Sequence, residues 1–269
     1  MKLYKFYDRQ KGLSIIELMV ALVVGMVLIA GVLQVFLSSR NTFAVNEAMS
    51  RVQENGRFAL EFIARNARQA GYTDPNYTGK RPYKIIPSGL KCDFLGNAKS
   101  SCSANGQGLE SDTVSFAFQP PVNSAGQRVD CTGDTVPEGK VVVNSFTVYE
   151  ESDSKSSLAC QRLILGESNP IPIPFSSAIL VEGIDNIQIQ YGINTTTDNS
   201  VNKYVSANEV SDWNSVLAIR VAVLANSGIE LSPEPQEKKF YLFDSGPFEF
   251  NDRKLRKVFT TTIQLKNYN

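Results

Sequence analysis

Histidine is absent from all 269 residues. Its absence removes the commonest general base, the commonest zinc ligand and the usual near-neutral proton switch. Cysteine is scarce: Cys92, Cys102, Cys131 and Cys160 are the four. No two of them have the spacing of a zinc knuckle or a redox C-x-x-C pair. Net charge is also lacking, with 27 basic and 27 acidic residues. No P-loop, G-x-G-x-x-G or G-x-S-x-G motif occurs, and Ser152-Asp153-Ser154-Lys155 matches S-x-x-K in a polar turn without the S-D-N or K-T-G partner that serine acyl transfer needs. Neither a metal nor an organic cofactor is expected.

The balanced charge is unevenly placed. Lys2, Lys5, Arg9 and Lys11 stand against Asp8 in the first twelve residues. Taking these four bases and one acid from totals of 27 and 27 leaves 23 basic and 26 acidic residues. The slightly acidic remainder argues against nucleic acid as a broad electrostatic partner.

Proline is missing from Leu13 until Pro75, and charge is missing from Leu18 to Leu33. The mostly apolar stretch Leu13–Leu37 would span roughly 37 Å as a helix, enough to cross a bilayer. The basic residues before it should stay cytoplasmic, leaving the rest of the chain outside. Three readings fit such a segment. A cleaved secretory signal would need a small-residue site after the run, and Glu17 stands at its mouth instead. An uncleaved signal anchor is the second. The third is a leader cut before the apolar run, on the cytoplasmic side.

The third reading accounts for the most residues. A basic leader ends at Lys11-Gly12, then Leu13-Ser14-Ile15-Ile16-Glu17-Leu18 opens the apolar run. This resembles the prepilin peptidase site of type IV pilins, with glycine before the cut and glutamate fifth after it. The resemblance implies cleavage between Gly12 and Leu13, with residues 1–12 removed. The new first residue in that family is usually a phenylalanine that becomes N-methylated. Leu13 departs from this, which leaves methylation open. Glu17 is costly in a membrane, about 2.5–3.5 kcal/mol on insertion scales. Cleavage would create a partner for it in the Leu13 α-amino group. In a filament Glu17 of one subunit would pair with that amine on a neighbour and fix axial register, because a slip leaves a buried charge unpaired.

Beyond the membrane the helical pattern continues. Val45, Ala48, Met49, Val52, Ala59, Phe62, Ile63, Ala67 and Ala70 recur at three-to-four spacing. Gly71 is placed as the stop. One helix of roughly 58 residues, about 87 Å long, is expected, with an apolar half at 13–37 and an amphipathic half at 38–71. Gly25, Gly31 and Gly56 weaken it by up to about 1 kcal/mol each and permit close helix contact in a filament.

Residues 72–269 read as a β-rich domain. Alternation marks strands at Val114–Phe118, Ile187–Ile193 and Leu217–Val223. Lys140–Tyr149, Leu158–Leu165 and Val258–Leu265 add three more, with short additions near Leu180 and Phe240. No second long helix intervenes, so antiparallel sheet follows. Thr73–Ser111 and Asn194–Trp213 read as long polar loops. The basic run Arg253, Lys254, Arg256 and Lys257 reads as a solvated loop before the last strand. Four cysteines allow three disulfide arrangements. Cys92–Cys102 would close a small loop and Cys131–Cys160 would flank the Lys140–Tyr149 strand; these two pairs are expected.

Several phrases then resemble the PilW-type minor pilins: Gln53-Glu54-Asn55-Gly56-Arg57, Arg68-Gln69-Ala70-Gly71-Tyr72, Ser111-Asp112-Thr113-Val114, Asp130-Cys131, Leu158-Ala159-Cys160 and Arg253-Lys254-Leu255-Arg256-Lys257-Val258-Phe259. The resemblance implies an α+β, pilin-like fold: one long N-terminal α-helix packed on an antiparallel β-sheet domain of two sheets. It implies a non-enzymatic part in type IV pilus assembly, near the tip. The partners would be other minor pilins, the major pilin, the prepilin peptidase, inner-membrane lipid before assembly, and a large tip adhesin. A J-type minor pseudopilin of type II secretion shares leader, helix and domain. A membrane-tethered enzyme or ligand-binding module is the alternative from another class, and would need a polar constellation that the sequence does not display.

Overall fold

The computed structural model describes residues 12, 14–79, 81–86, 92–94, 97–99, 102–151, 155–165, 177–196, 198, 200–231 and 239–267. Contacts divide the chain into two units, Met1–Asn46 and Glu47–Asn269. Residues 1–11, Leu13 and the Cys92 side chain lie outside the described residues.

Helix α1 runs unbroken from Ile15 to Gln69, 55 residues. Ser14 starts it, its hydroxyl accepting from the Ile16 N–H at 3.4 Å. Ser14 and Glu17 have capping-box spacing, a start signal readable in the sequence. At the other end Gly71 takes φ 79°, which costs glycine nothing sterically. The Asn267 side-chain amide shares its protons among the Arg68, Gln69 and Ala70 carbonyls at 3.3, 3.3 and 2.9 Å. These are carbonyls that a helix end leaves without intrahelical partners.

The second unit is built on two antiparallel four-stranded sheets. The first has the order β3 (Val114–Phe118), β4 (Val141–Glu151), β5 (Lys155–Leu165), β6 (Ser177–Glu182). The second has the order β12 (Lys254–Gln264), β9 (Val216–Glu230), β7 (Ile184–Ile193), β8 (Lys203–Val205). Two hairpins complete it: β1 (Cys92–Phe94) with β2 (Asn97–Lys99), and β10 (Lys239–Leu242) with β11 (Ser245–Glu249). The segments expected to be long loops thus hold β1, β2, β8 and two short 3-10 turns.

One apolar core lies between the inner faces of the sheets and α1. Phe116, Phe146, Leu158, Ile187, Ile189, Val221, Val223 and Ile263 meet Val52, Ala59, Ile63 and Ala67 there. Each large side chain buried this way is worth about 1.5–3 kcal/mol. Both sheets are covered on their outer faces too. Ile86 and Cys102 pack on Ala117, Val141 and Val143 of the first. Phe240, Leu242 and Phe248 of the β10–β11 hairpin pack on Ala222 and Leu224 of the second.

The buried face of α1 holds six of the nine residues of the expected stripe and adds Gly56. Ala48, Val52, Gly56, Ala59, Ile63, Ala67 and Ala70 are buried, spaced four, four, three. Val45, Met49 and Phe62 flank this line and stay 37–38% exposed. The strands approach the helix backbone closely at Gly56, so alanines and this glycine alternate with Val52 and Ile63 along the contact.

Candidate functional site

The features that bear on function are a helix with an unburied apolar end and the seat that holds its other end. From Ile15 to Leu37 the large apolar side chains stand open, Ile15 at 81% and Leu37 at 58% exposure. This is the one helix among the described residues long and apolar enough to cross a membrane. A soluble protein buries such a surface; among the described residues nothing covers it. Glu17 sits in the first turn, exposed, where the helix dipole favours a carboxylate. Gly12 is exposed two residues before the helix-starting Ser14. Gly25 and Gly31 have open space where a Cβ would go.

Gly56 does not. It is buried, and a Cβ built on it would meet the Phe259 ring of β12, 2.7 Å from Cγ. The glycine expected to serve contact between subunits is occupied within the chain. Asn66, also buried, accepts from the Asn144 amide of β4 at 2.8 Å and donates to the Phe62 carbonyl at 2.9 Å. Asn55 donates to the Asn226 carbonyl of β9 at 3.2 Å. Each sheet therefore holds α1 by a side-chain amide as well as by apolar packing.

The basic run is not a solvated loop. Lys254 opens β12, and the Arg256 side chain is 4% exposed. Arg256 donates through Nε to Asp185 at 2.6 Å and through its terminal nitrogens to both Asp252 oxygens at 2.5 and 2.7 Å. Its guanidinium lies 3.6 Å over the Phe250 ring. Asp185 in turn accepts from Ser156 of β5 at 2.6 Å and Asn226 of β9 at 2.7 Å. This polar knot joins β5, β7, β9 and β12. Burial opposes the Asp252 carboxylate, but bonds from Arg256 outweigh it and hold its pKa below the ordinary 3.8. Burial likewise opposes the charged Arg256, and both aspartates restore it. Arg253 is paired with Glu230 at 2.8 Å. Both arginines of the run are thus paired within the chain, Arg256 in the interior and Arg253 at the surface.

Cys131 and Cys160 are joined, their Cα atoms 6.2 Å apart, with Cys160 fully buried on β5. Cys102 is disulfide-bonded and buried. Next to the first bridge Asp130 takes Arg162 at 2.9 Å.

A groove of about 640 Å³ runs past Leu109, Glu110, Thr147, Tyr149, Phe248 and Phe250. Asp185 and Glu249 on its wall are already in ion pairs with Arg256 and Lys239. Among the described residues no group of three or more His, Cys, Asp or Glu could hold a metal ion. The strongest titration shift belongs to the Tyr191 hydroxyl, pushed far up by burial and by Asp112. It stays neutral at any physiological pH, edge-on to Trp213 at 4.9 Å. The arrangement is one of holding and packing.

Two family models match. The model described as Type IV Pilus-assembly protein W matches residues 145–267. The prokaryotic N-terminal methylation motif matches residues 7–33. Among solved structures, a type IV-like pilin from Thermus thermophilus aligns at 13% identity, covering 81% of this chain and 99% of that one, with a TM-score of 0.48. No curated protein matches the chain.

Proposed function

We propose that this chain, a minor pilin of the PilW type, works as a structural subunit that primes type IV pilus assembly at or near the tip, with other minor pilins and ahead of the major pilin. The observation that carries this is the length of uncovered apolar helix, Ile15–Leu37, continuous with a helix seated in a β domain. Before assembly lipid would cover it; afterwards the helices of neighbouring subunits would. The prepilin motif and apolar helix fit inner-membrane anchoring with residues 72–269 on the periplasmic side.

In this reading the prepilin peptidase cuts between Gly12 and Leu13. The freed Leu13 amine then pairs with Glu17 of a neighbour, and an unpaired carboxylate penalises any axial slip. The role is one of assembly rather than catalysis. Intact mass and N-terminal sequencing, with and without the peptidase, test the first step. A product starting at Leu13, seen only with the peptidase, is expected. A product that keeps Met1, or is cut beyond Leu33, overturns the reading. Deleting the chain from a piliated host tests the part in pilus assembly, and loss of surface pili with secretion intact is expected.

A further inference from the structure

The sheet edges of the β domain are protected unequally. An exposed edge strand is a template for another chain, and proteins blunt it by shortness, charge, proline, bulges or cover. The β3 edge is covered: Ile86 N–H donates to the Ser115 carbonyl at 3.0 Å and Ala117 N–H to the Lys84 carbonyl at 3.2 Å. Beside the three-residue β8, the β7 edge is met by the segment before β3. Asp112 N–H donates to the Ile187 carbonyl at 2.9 Å, and the Asp112 carboxylate accepts from Ile189 N–H at 2.7 Å. β6 is six residues long and ends in Glu182.

Among the described residues, β12 has none of these protections over most of its length. It is 11 residues long and, among the described residues, pairs with β9 alone. Its one irregularity lies between Lys254 and Arg256. From Val258 to Gln264 it carries no charge, no proline and no bulge.

The ladder shows which groups face outward. Leu265 N–H donates to the Leu217 carbonyl at 2.8 Å, and alternate residues of a strand point to opposite sides. The N–H and C=O groups of Val258, Thr260, Thr262 and Gln264 therefore point away from β9. The edge also has a place beside the assembly helix. Phe259 packs on Gly56, and Asn267 caps the same helix three residues past the strand's end.

We infer that the outer edge of β12 receives an extended strand from a different pilus subunit, one with carboxylates near both ends of that strand, extending the second sheet across the subunit boundary. This rests on the pilus-subunit reading above. Charge selects the occupant. Residues 253–266 hold five bases and no acid; Arg253 and Arg256 are paired internally, while Lys257 and Lys266 are exposed at either end of the uncharged stretch. A second copy of this chain fits poorly. Antiparallel self-pairing that matches Val258 with Gln264 sets the exposed Lys266 of each copy one residue from the exposed Lys257 of the other, twice, and like-charge juxtaposition disfavours a partner. Main-chain bonds supply affinity in strand addition and the flanking charges supply choice.

The test uses the full chain in a piliated host. Thr262→Pro removes an N–H that points away from β9, so the internal ladder keeps its bonds. Thr260→Lys with Thr262→Lys charges the edge instead. One edge hydrogen bond is worth about tenfold in association, so a drop in surface pili of about that size is expected, with wild-type chain levels in the membrane. Wild-type piliation by accumulating variants overturns the inference. If deletion of the chain leaves pili intact, the pilus reading itself fails. A photo-cross-linking residue at Thr262, which alters neither ladder, is expected to capture another pilus subunit through an extended segment. Capture of a second copy, or of nothing, also overturns the inference.

Discussion

Gly56 of α1 lies directly beneath the ring of Phe259 on β12, where a Cβ would fall within 2.7 Å of the ring's Cγ. Helix propensity favours alanine over glycine by about 1 kcal/mol, yet this position has no room for it. Overpacking a filled core costs about 1–3 kcal/mol. We expect Gly56→Ala to lower stability in spite of the propensity gain, and Gly56→Val to lower it more. Phe259→Leu in the Gly56→Ala background should recover part of the loss. Urea unfolding of the full chain in detergent, run as a double-mutant cycle, measures the coupling. Additive losses would show that the two residues do not share the constraint.

The Cys131–Cys160 bridge spans 29 residues and crosses from the segment before β4 to the middle of β5. On the loop-entropy account such a closure is worth about 3.6 kcal/mol. Replacing both cysteines by serine should lower stability by up to that amount and leave Cys160's position as a buried hydroxyl. Cys160→Ala with Cys131→Ser should cost less, because alanine needs no partner there. Thermal unfolding of the two variants separates the loss of the bridge from the polar burial.

The long helix, its Gly71 stop and the six main strands were legible because each follows from a local rule: hydrophobic period, a proline-free stretch, or a glycine at a helix end. Three things were not. Alternation reports one buried face, but Val141-Val142-Val143 is buried on both, since a loop and its cysteine cover the outer side. The three-to-four spacing marked the helix seat at Ala48, Val52, Ala59, Ile63, Ala67 and Ala70, but it also took in Val45, Met49 and Phe62, which lie beside the seat, and missed Gly56 within it. That depends on how closely the strands approach, which no local pattern encodes. Arg256 read as solvated because one of its partners, Asp185, stands 71 residues away in sequence. Of the proposed assembly site, Glu17 was visible from its charge in an apolar run. The open β12 edge was not, because an edge exists only once the sheet order is known.

Arg256 makes the second sheet sensitive to acid. Its partner Asp252 has a depressed pKa in the folded chain, so it binds protons more weakly folded than unfolded. Its contribution is complete above the ordinary value of 3.8 and is lost as the pH falls through the lower folded value. We expect stability to fall in that acid window and the fall to be shallower in Asp252→Asn. Arg256→Met should be harsher at neutral pH. It strands Asp185, whose side chain is 10% exposed, and breaking one side of a buried pair costs about 3–5 kcal/mol. A near-ultraviolet circular dichroism titration of the three chains checks both statements.

Glu17 has two physical roles that one substitution separates. As the fourth residue of Ser14-Ile15-Ile16-Glu17 it stands where a capping box places glutamate or glutamine, in the first turn of α1. As a charge at the mouth of an apolar helix it would lock filament register by pairing with the Leu13 amine. Glu17→Gln keeps the capping geometry and removes the charge. It also lowers the cost of placing the helix in lipid, about 2.5–3.5 kcal/mol for the carboxylate. A purely local role therefore leaves Glu17→Gln at least as abundant in the membrane and as well assembled as the parent. The register role predicts the same abundance and the same mature mass, but few pili. We expect the second pattern, with Glu17→Asp intermediate because its charge remains on a shorter side chain. Membrane levels, intact mass and surface pilus counts on the three chains decide between the two roles.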